Sequence, residues 1–398
     1  MYAFRPDWWD LGWNEGSRTY ITALSIRAIE DYLYMASVLD RKNPALLSLE
    51  RNAVEMRSAL TKRLWDDSLN YLINYNGADK DHHRYMGSLL APAYKLLDRE
   101  RSLKLIETAK RELLAPNVGI RAVMPSDFHK DSVIKYFRIA GSEAGDAYTY
   151  INGGVWPHNN AWYALAQHAA GKSDDALDFV KRCMTVDGIA QSPNGIPAMY
   201  EYRYSNEESP RYGEIDKPSF LWAGGFYLYT MYSLAGATDN VWNLSFSQER
   251  AHFDSSVGFS YTFGIGKDVM IDGIGRQLAT FAADGKKIPS LVLPMDVAAS
   301  KKFDLTFGNS SEPFLSTVNA IVHTAAYTSK QKRFVCALSS FKGHQTIMTV
   351  VVPKKPREVH VNGKTIRTVI STVNSDNTID VVISFVAGSS LDTIELKW

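Results

Sequence analysis

Hydrophobic and polar positions repeat with two different periods along this chain. From about residue 17 to 236 the period is helical. Leu46, Leu49, Ala53, Met56, Leu60 and Leu64 recur at spacings of three and four, the stripe of a helix with one buried face. This predicts a helix over 44–64. The same reading predicts helices over 18–39 with Ser17 as N-cap, over 84–96 and over 99–114. Another starts at Pro157, a favoured first residue, and ends before Gly171. A further helix follows Ser173-Asp174, and the last covers 219–235. That last segment is apolar nearly all round, which predicts burial on every side. Turn-rich segments at 65–71, 115–120 and 186–190 follow successive helix pairs, each read as a turn and a short extended stretch. The pattern is one of αα-hairpins in series.

From about residue 240 the period is two. Thr346–Val352 alternates and is closed by Pro353. Val359–Val361 and Lys364–Ile366 flank Asn362-Gly363, a hairpin turn signal, and Thr378–Phe385 and Asp392–Leu396 read as further strands. The expected organisation is a helical domain over 1–238 and a β-sandwich or jelly roll over 239–398, joined near Gly236–Asn240.

Composition narrows the function. A formal net charge of +1 gives no whole-chain field for nucleic acid or an anionic membrane. Two cysteines exclude a disulfide scaffold. No run approaches the ~18 apolar residues of a membrane span. Residues 1–6 have neither the basic nor the apolar region of a signal peptide, so the compartment stays open between cytoplasm and periplasm. No phosphate-cradling glycine loop or dinucleotide fingerprint occurs, and no cofactor is expected. Asp81-His82-His83 is read as no metal site, because adjacent histidines diverge on most backbones. Aromatic residues reach 12%, with 9 Trp; such rings stack on sugar faces or fill a core.

Three segments decide between those uses. They are Asp7-Trp8-Trp9-Asp10, Tyr150–Trp162 (with Asn152-Gly153 and Trp156-Pro157-His158) and Ser209–Glu214 followed by Phe220-Leu221-Trp222-Ala223-Gly224. In this order and spacing the chain resembles the six-hairpin (α/α)6 glycosidases, in particular the cellobiose and chitobiose phosphorylases and the bacterial processing-type α-glucosidases. The resemblance implies a partial (α/α)6 toroid followed by the β-sandwich. It also implies that hairpins N-terminal to Asp7 are missing, with a preceding segment or a second copy expected to close the barrel.

The resemblance further implies an inverting cleavage of oligo- or polysaccharides by two carboxyl groups, about 6.5–9.5 Å apart. Asp10 matches the general acid, with Asp7 the alternative in the same motif. Glu201 matches the general base, with Glu214 the alternative. Trp8, Tyr150, Trp156, Trp162 and Trp222 are expected in the sugar pocket. Asn152 is expected to bind a hydroxyl or fix a loop, and His158 to face substrate. Phosphorolysis is the alternative reaction, but Ala223 stands where the phosphorylases carry a phosphate-binding threonine, and Glu201 would repel phosphate. The other alternative is a non-catalytic carbohydrate-binding fragment.

Overall fold

The computed structural model describes all residues except 10, 40, 42, 197, 241–242, 254–256, 262–265, 274, 367–368 and 389–390. Asp10, the expected acid, therefore lies outside the described residues. The chain combines an α-rich part with a β-rich part. By contacts it divides into Met1–Ile29 with Asn52–Leu234, and Glu30–Arg51 with Ala235–Trp398.

In the first unit the periodic segments form helices at Thr19–Val38, Ala45–Ala59, Arg99–Glu112, Pro157–Ala169, Ser173–Cys183 and Trp222–Leu234. The first and second of these run across the division between the units. Asp98 caps the Arg99–Glu112 helix through its carboxylate, which accepts from Arg101 N at 2.8 Å. The helix at Thr19 is capped differently from expectation. Asn74 Oδ1, not Ser17, accepts from Thr19 N at 2.9 Å, while Asn74 Nδ2 donates to Pro6 O at 2.7 Å. One buried amide thereby joins the chain start to the first helix. Two of the expected turn segments are short hairpins, Trp65–Asp66 with Tyr71–Leu72 and Leu114–Ala115 with Gly119–Ile120. The third is a helical turn, Val186–Ala190, because Thr185 Oγ1 caps it by accepting from Gly188 N at 3.2 Å.

The all-round burial expected of the last helix is not found. Leu221 is 82% exposed, and Leu228, Tyr229 and Tyr232 are exposed along the same stripe. The opposite side carries Ala223, Thr230 and Leu234, which are buried. Apolar composition predicts a buried helix only where some element covers each face.

Among the described residues the second unit contains three sheets of four or five strands. One is ordered 257–261, 267–273, 302–307, 278–283 and 286–287, with 267–273 and 302–307 parallel. The second runs 314–318, 345–352, 379–386 and 370–373, and the third 321–328, 333–339, 392–397, 358–361 and 364–365. Alternation holds along Arg333–Ser339, where every second residue is buried. Asn362 and Gly363 both have positive φ, 52° and 75°, as the hairpin turn between them requires. Residues 236–240 are no bare linker: Ala237–Asn240 pairs antiparallel with Asn243–Phe246. Residues 30–51 belong to this unit through Ser37 Oγ, 3.2 Å from Ser340 Oγ, and Glu50, 2.8 Å from His344 Nδ1.

Candidate functional site

The segment before the Thr19–Val38 helix is held at both ends. Tyr2-Ala3 pairs with Gly16-Ser17, which pairs in turn with Tyr75-Asn76. This segment and the start of the helix line an open cavity of about 420 Å³ whose wall includes Phe4, Asp7, Trp8, Trp9, Trp13 and Tyr20. Arg5 covers the Trp13 ring, its guanidinium 5.3 Å from the ring centre.

Asp7 is the described carboxyl group on that wall, and it is buried. Its Oδ1 accepts from Trp8 N at 3.0 Å and its Oδ2 from Gly87 N at 3.1 Å. Both bonds favour the carboxylate, yet burial outweighs them and pushes the pKa up to about 8. Asp7 is therefore mostly protonated at neutral pH. Gly87 allows this approach, because a Cβ there would lie 2.7 Å from Asp7 Cγ.

Behind the cavity the aromatic residues singled out in the sequence come together. The Trp8 ring meets Trp156 at 4.8 Å and His158 at 4.3 Å, both edge-on. His158 also meets Trp162 at 4.9 Å and Trp222 at 4.7 Å, and Tyr150 packs on Trp156 at 5.2 Å. Of the expected pocket residues, Asp7 and Trp8 line the cavity. Trp156 is core, with its Nε1 donating to Tyr150 O at 2.9 Å. Asn152 fixes loops: its Oδ1 accepts from Phe128 N at 3.0 Å and its Nδ2 donates to Gly145 O at 3.0 Å.

His158 is fully enclosed, and burial holds its pKa well below the ordinary value, so the ring is neutral. Neither of its ring nitrogens has a hydrogen-bond partner among the described residues, and the same is true of Trp8 Nε1 and Trp222 Nε1. Four unpartnered polar atoms in one aromatic cluster are unusual for a plain core.

Glu201 lies on the strand Tyr200–Arg203, which pairs with Ile215–Pro218. Its carboxylate is buried and meets Lys217 Nζ at 2.6 Å. That bond raises the Lys217 pKa. Lys217 also stands 5.6 Å from the centre of the Tyr150 ring, which connects the ion pair to the aromatic cluster. Glu214, the alternative base, is paired with Arg211 at 2.8 Å.

Residues 12–208 match the family described as amylo-α-1,6-glucosidase. The match covers just under half of the chain and agrees with the resemblance to the six-hairpin glycosidases. The matched stretch contains Asn152, His158 and Glu201; Asp7 and Trp8 precede it and Trp222 follows it. No curated protein matches the chain. Among solved structures, a mannosylglycerate hydrolase of family GH63 from Thermus thermophilus, in complex with Tris, is 16% identical over 54% of this chain and 46% of its own, at a TM-score of 0.40. Neutral trehalase Nth1 from Saccharomyces cerevisiae is 16% identical over 53% of this chain and 36% of its own, at 0.37. A sialidase is 12% identical over 93% of this chain and 27% of its own, at 0.40. The chain thus spans less than half the length of each of these proteins, and likeness at this level carries no argument about activity.

Several residues of the site were not singled out in the sequence. Lys217, the cation on Glu201, sits in a segment without helical or strand periodicity to announce it. Asn159 and Asn160 open the Pro157–Ala169 helix and look like ordinary polar residues. Buried, they hold the 114–120 hairpin: Asn159 Nδ2 donates to Ile120 O at 2.8 Å, and Asn160 Oδ1 accepts from Ile120 N at 2.8 Å. Consecutive asparagines directly after Trp-Pro-His were the available signal.

The histidine pair corrects an expectation. The rings of His82 and His83 do not diverge; their centres are 4.2 Å apart. Asp81, His82 and His83 bring one potential ligand atom each within 4.8 Å of one another. His83 nevertheless fits a metal poorly. Its Nδ1 is 2.8 Å from Asp81 Oδ1 and its Nε2 is 2.8 Å from Asp127 Oδ1, which leaves neither nitrogen a free lone pair.

Proposed function

We propose that this chain carries part of the catalytic site of a glycoside hydrolase that cleaves oligo- or polysaccharides by an inverting, two-carboxylate mechanism. In this reading the helical unit is part of an (α/α)6 toroid and the C-terminal sheets form a β-sandwich. The observation that carries the proposal is Asp7: a buried carboxyl, pKa about 8, on the wall of an aromatic cavity. A glycosidic oxygen needs a proton donor that still holds its proton at working pH, and Asp7 has that property. Glu201 has the opposite surroundings. A cation faces it, with Lys217 Nζ 2.6 Å from its carboxyl oxygen, whereas none is paired with Asp7 among the described residues. Burial of such unlike kinds is how one site separates acid from base.

Asp10 remains the acid implied by the motif, and the two aspartates are separable by mutation. The chain and its Asp7→Asn, Asp10→Asn and Glu201→Gln variants are incubated with neutral oligosaccharides. Released sugar is quantified, and its anomeric form is followed by proton NMR. Loss of turnover in Asp7→Asn with retention in Asp10→Asn supports Asp7 as the acid, and the converse assigns Asp10. Full activity in Glu201→Gln, or a first-formed product that retains configuration, overturns the mechanism. Phosphorolysis is disfavoured, since the neutral His158 offers phosphate no positive charge.

A further inference from the structure

The strongest unexplained group in the first unit is His83. Its side chain is completely buried, with a carboxylate on each ring nitrogen at 2.8 Å. Two carboxylates on opposite nitrogens of one imidazole are satisfied together when both nitrogens donate, which requires the imidazolium form. Rings close the remaining sides: Phe128 lies 5.0 Å and Phe137 5.4 Å from the His83 centre. Burial lowers the His83 pKa, but the hydrogen bonds from Asp127 and Asp81 outweigh it and the net direction is up.

The charged surroundings agree. On the same segment stand Asp81, His82, Arg84 and Tyr85, and Tyr85 OH donates to Asp81 Oδ2 at 2.7 Å. From the facing segment come Asp127, Lys130 at 3.7 Å from Asp127, and Tyr136. Arg18, on the chain start, is close enough to Asp81 and Tyr85 to interact electrostatically. The His82 pKa is lowered, first by burial and then by the neighbouring His83 charge.

The network reaches the proposed site through two rings. Tyr85 meets the Trp9 ring at 5.6 Å and Phe128 meets it at 6.1 Å. Trp9 follows Trp8 and lines the cavity beside Asp7. Asn152 pins Phe128 N from the other side. We propose that Asp81–His83–Asp127 is a charged clamp in which His83, donating from both ring nitrogens, joins the 81–85 and 127–137 segments and thereby positions Trp9 behind Asp7. His83 is a positioning residue. Its link to activity rests on the proposed function, whereas its protonation state and its hold on Trp9 do not.

The test uses the whole chain labelled with ¹⁵N-histidine. The His83 signal is identified by its loss in His83→Gln, and its ring protonation is followed from pH 5 to 9. Both nitrogens of His83 carry protons across neutral pH, while exposed histidines titrate near ~6.5. In Asp127→Asn one carboxylate is replaced by a neutral amide, so the His83 titration moves down by about 1–3 pH units. Tryptophan fluorescence gains a pH-dependent transition over that same range which the parent lacks, distinct from any change near pH 8 that both proteins share through Asp7. If the parent shows a singly protonated His83 ring at pH 7, the clamp is wrong. It is equally wrong if Asp127→Asn leaves the titration where it was, and if His83 titrates without moving the fluorescence. Should His83→Gln fail to fold, the His83 signal is assigned in the parent by its through-space contacts with Phe128 and Phe137. Absence of sugar turnover with a doubly protonated ring removes the proposed function and leaves the clamp standing.

Discussion

Gly87 is the sharpest lever on the candidate acid. Its N–H donates to Asp7 Oδ2 at 3.1 Å, and its lack of a side chain lets the carboxyl rest against the backbone. An alanine methyl there would lie 2.7 Å from Asp7 Cγ and 2.9 Å from Oδ2, closer still to Oδ1. Carbon atoms in contact settle at about 3.5–4.0 Å, so Asp7 must retreat by roughly 1 Å. Overpacking a filled core costs about 1–3 kcal/mol. Displacing a reacting group by that distance costs on the order of 100-fold in rate. Gly87→Ala therefore lowers the melting temperature and, on the proposed function, cuts kcat far more than KM. Gly225→Ala is the control. It lies in the Trp222–Leu234 helix with open space around its Cβ, and alanine there is neutral or stabilising by about 0.5–1 kcal/mol. Both are measured by thermal unfolding and by initial rates. A Gly87→Ala protein with parental stability and full activity refutes the idea that this glycine seats Asp7.

Three further outcomes are expected. Asp7 has a folded pKa of about 8 against an ordinary value of 3.8, so the folded state holds its proton longer. Stability is then lost as pH rises between those two values, and Asp7→Asn flattens that slope in urea titrations run from pH 4 to 9. An unchanged slope refutes the assigned pKa. Asn160→Ala leaves Ile120 N–H buried without its acceptor, at about 1–3 kcal/mol, read as a lower urea midpoint; an unaltered midpoint means another group takes over. Lys217→Met removes the ammonium facing Glu201. Because Lys217 is largely solvent-exposed, the stability cost stays near ~1 kcal/mol, while turnover falls at neutral pH; undiminished turnover would detach this pair from the chemistry.

The fold was legible where periodicity and local chemistry agree. The stripe from Leu46 to Leu64 gives Ala45–Ala59 and its continuation, and Asn362-Gly363 gives a hairpin with both residues at positive φ. Failures share one cause, partners distant in sequence. Thr19 is capped by Asn74, which no local motif near Ser17 announces. The exposed stripe of Leu221, Leu228 and Tyr229 looks like buried helix because composition says nothing about which face is covered.

The site divides along the same line. Trp8, Tyr150, Trp156, His158, Trp162 and Trp222 were singled out by motif and do gather, since each is anchored by its own segment. What a motif cannot convey is which side of a ring meets a cavity and which meets core. The cavity wall draws on Phe4, Trp13 and Tyr20, whose roles depend on the short pairing of Tyr2-Ala3 with Gly16-Ser17. Asp7 shows the same dependence most clearly. Its raised pKa comes from burial beneath those rings, which outweighs the opposing hydrogen bond from Gly87 N, eighty residues away. A proton donor made in this way is a property of the folded loop, so disturbing the Gly87 seat and removing the Asp7 carboxyl should shift the pH dependence of the protein through the same group.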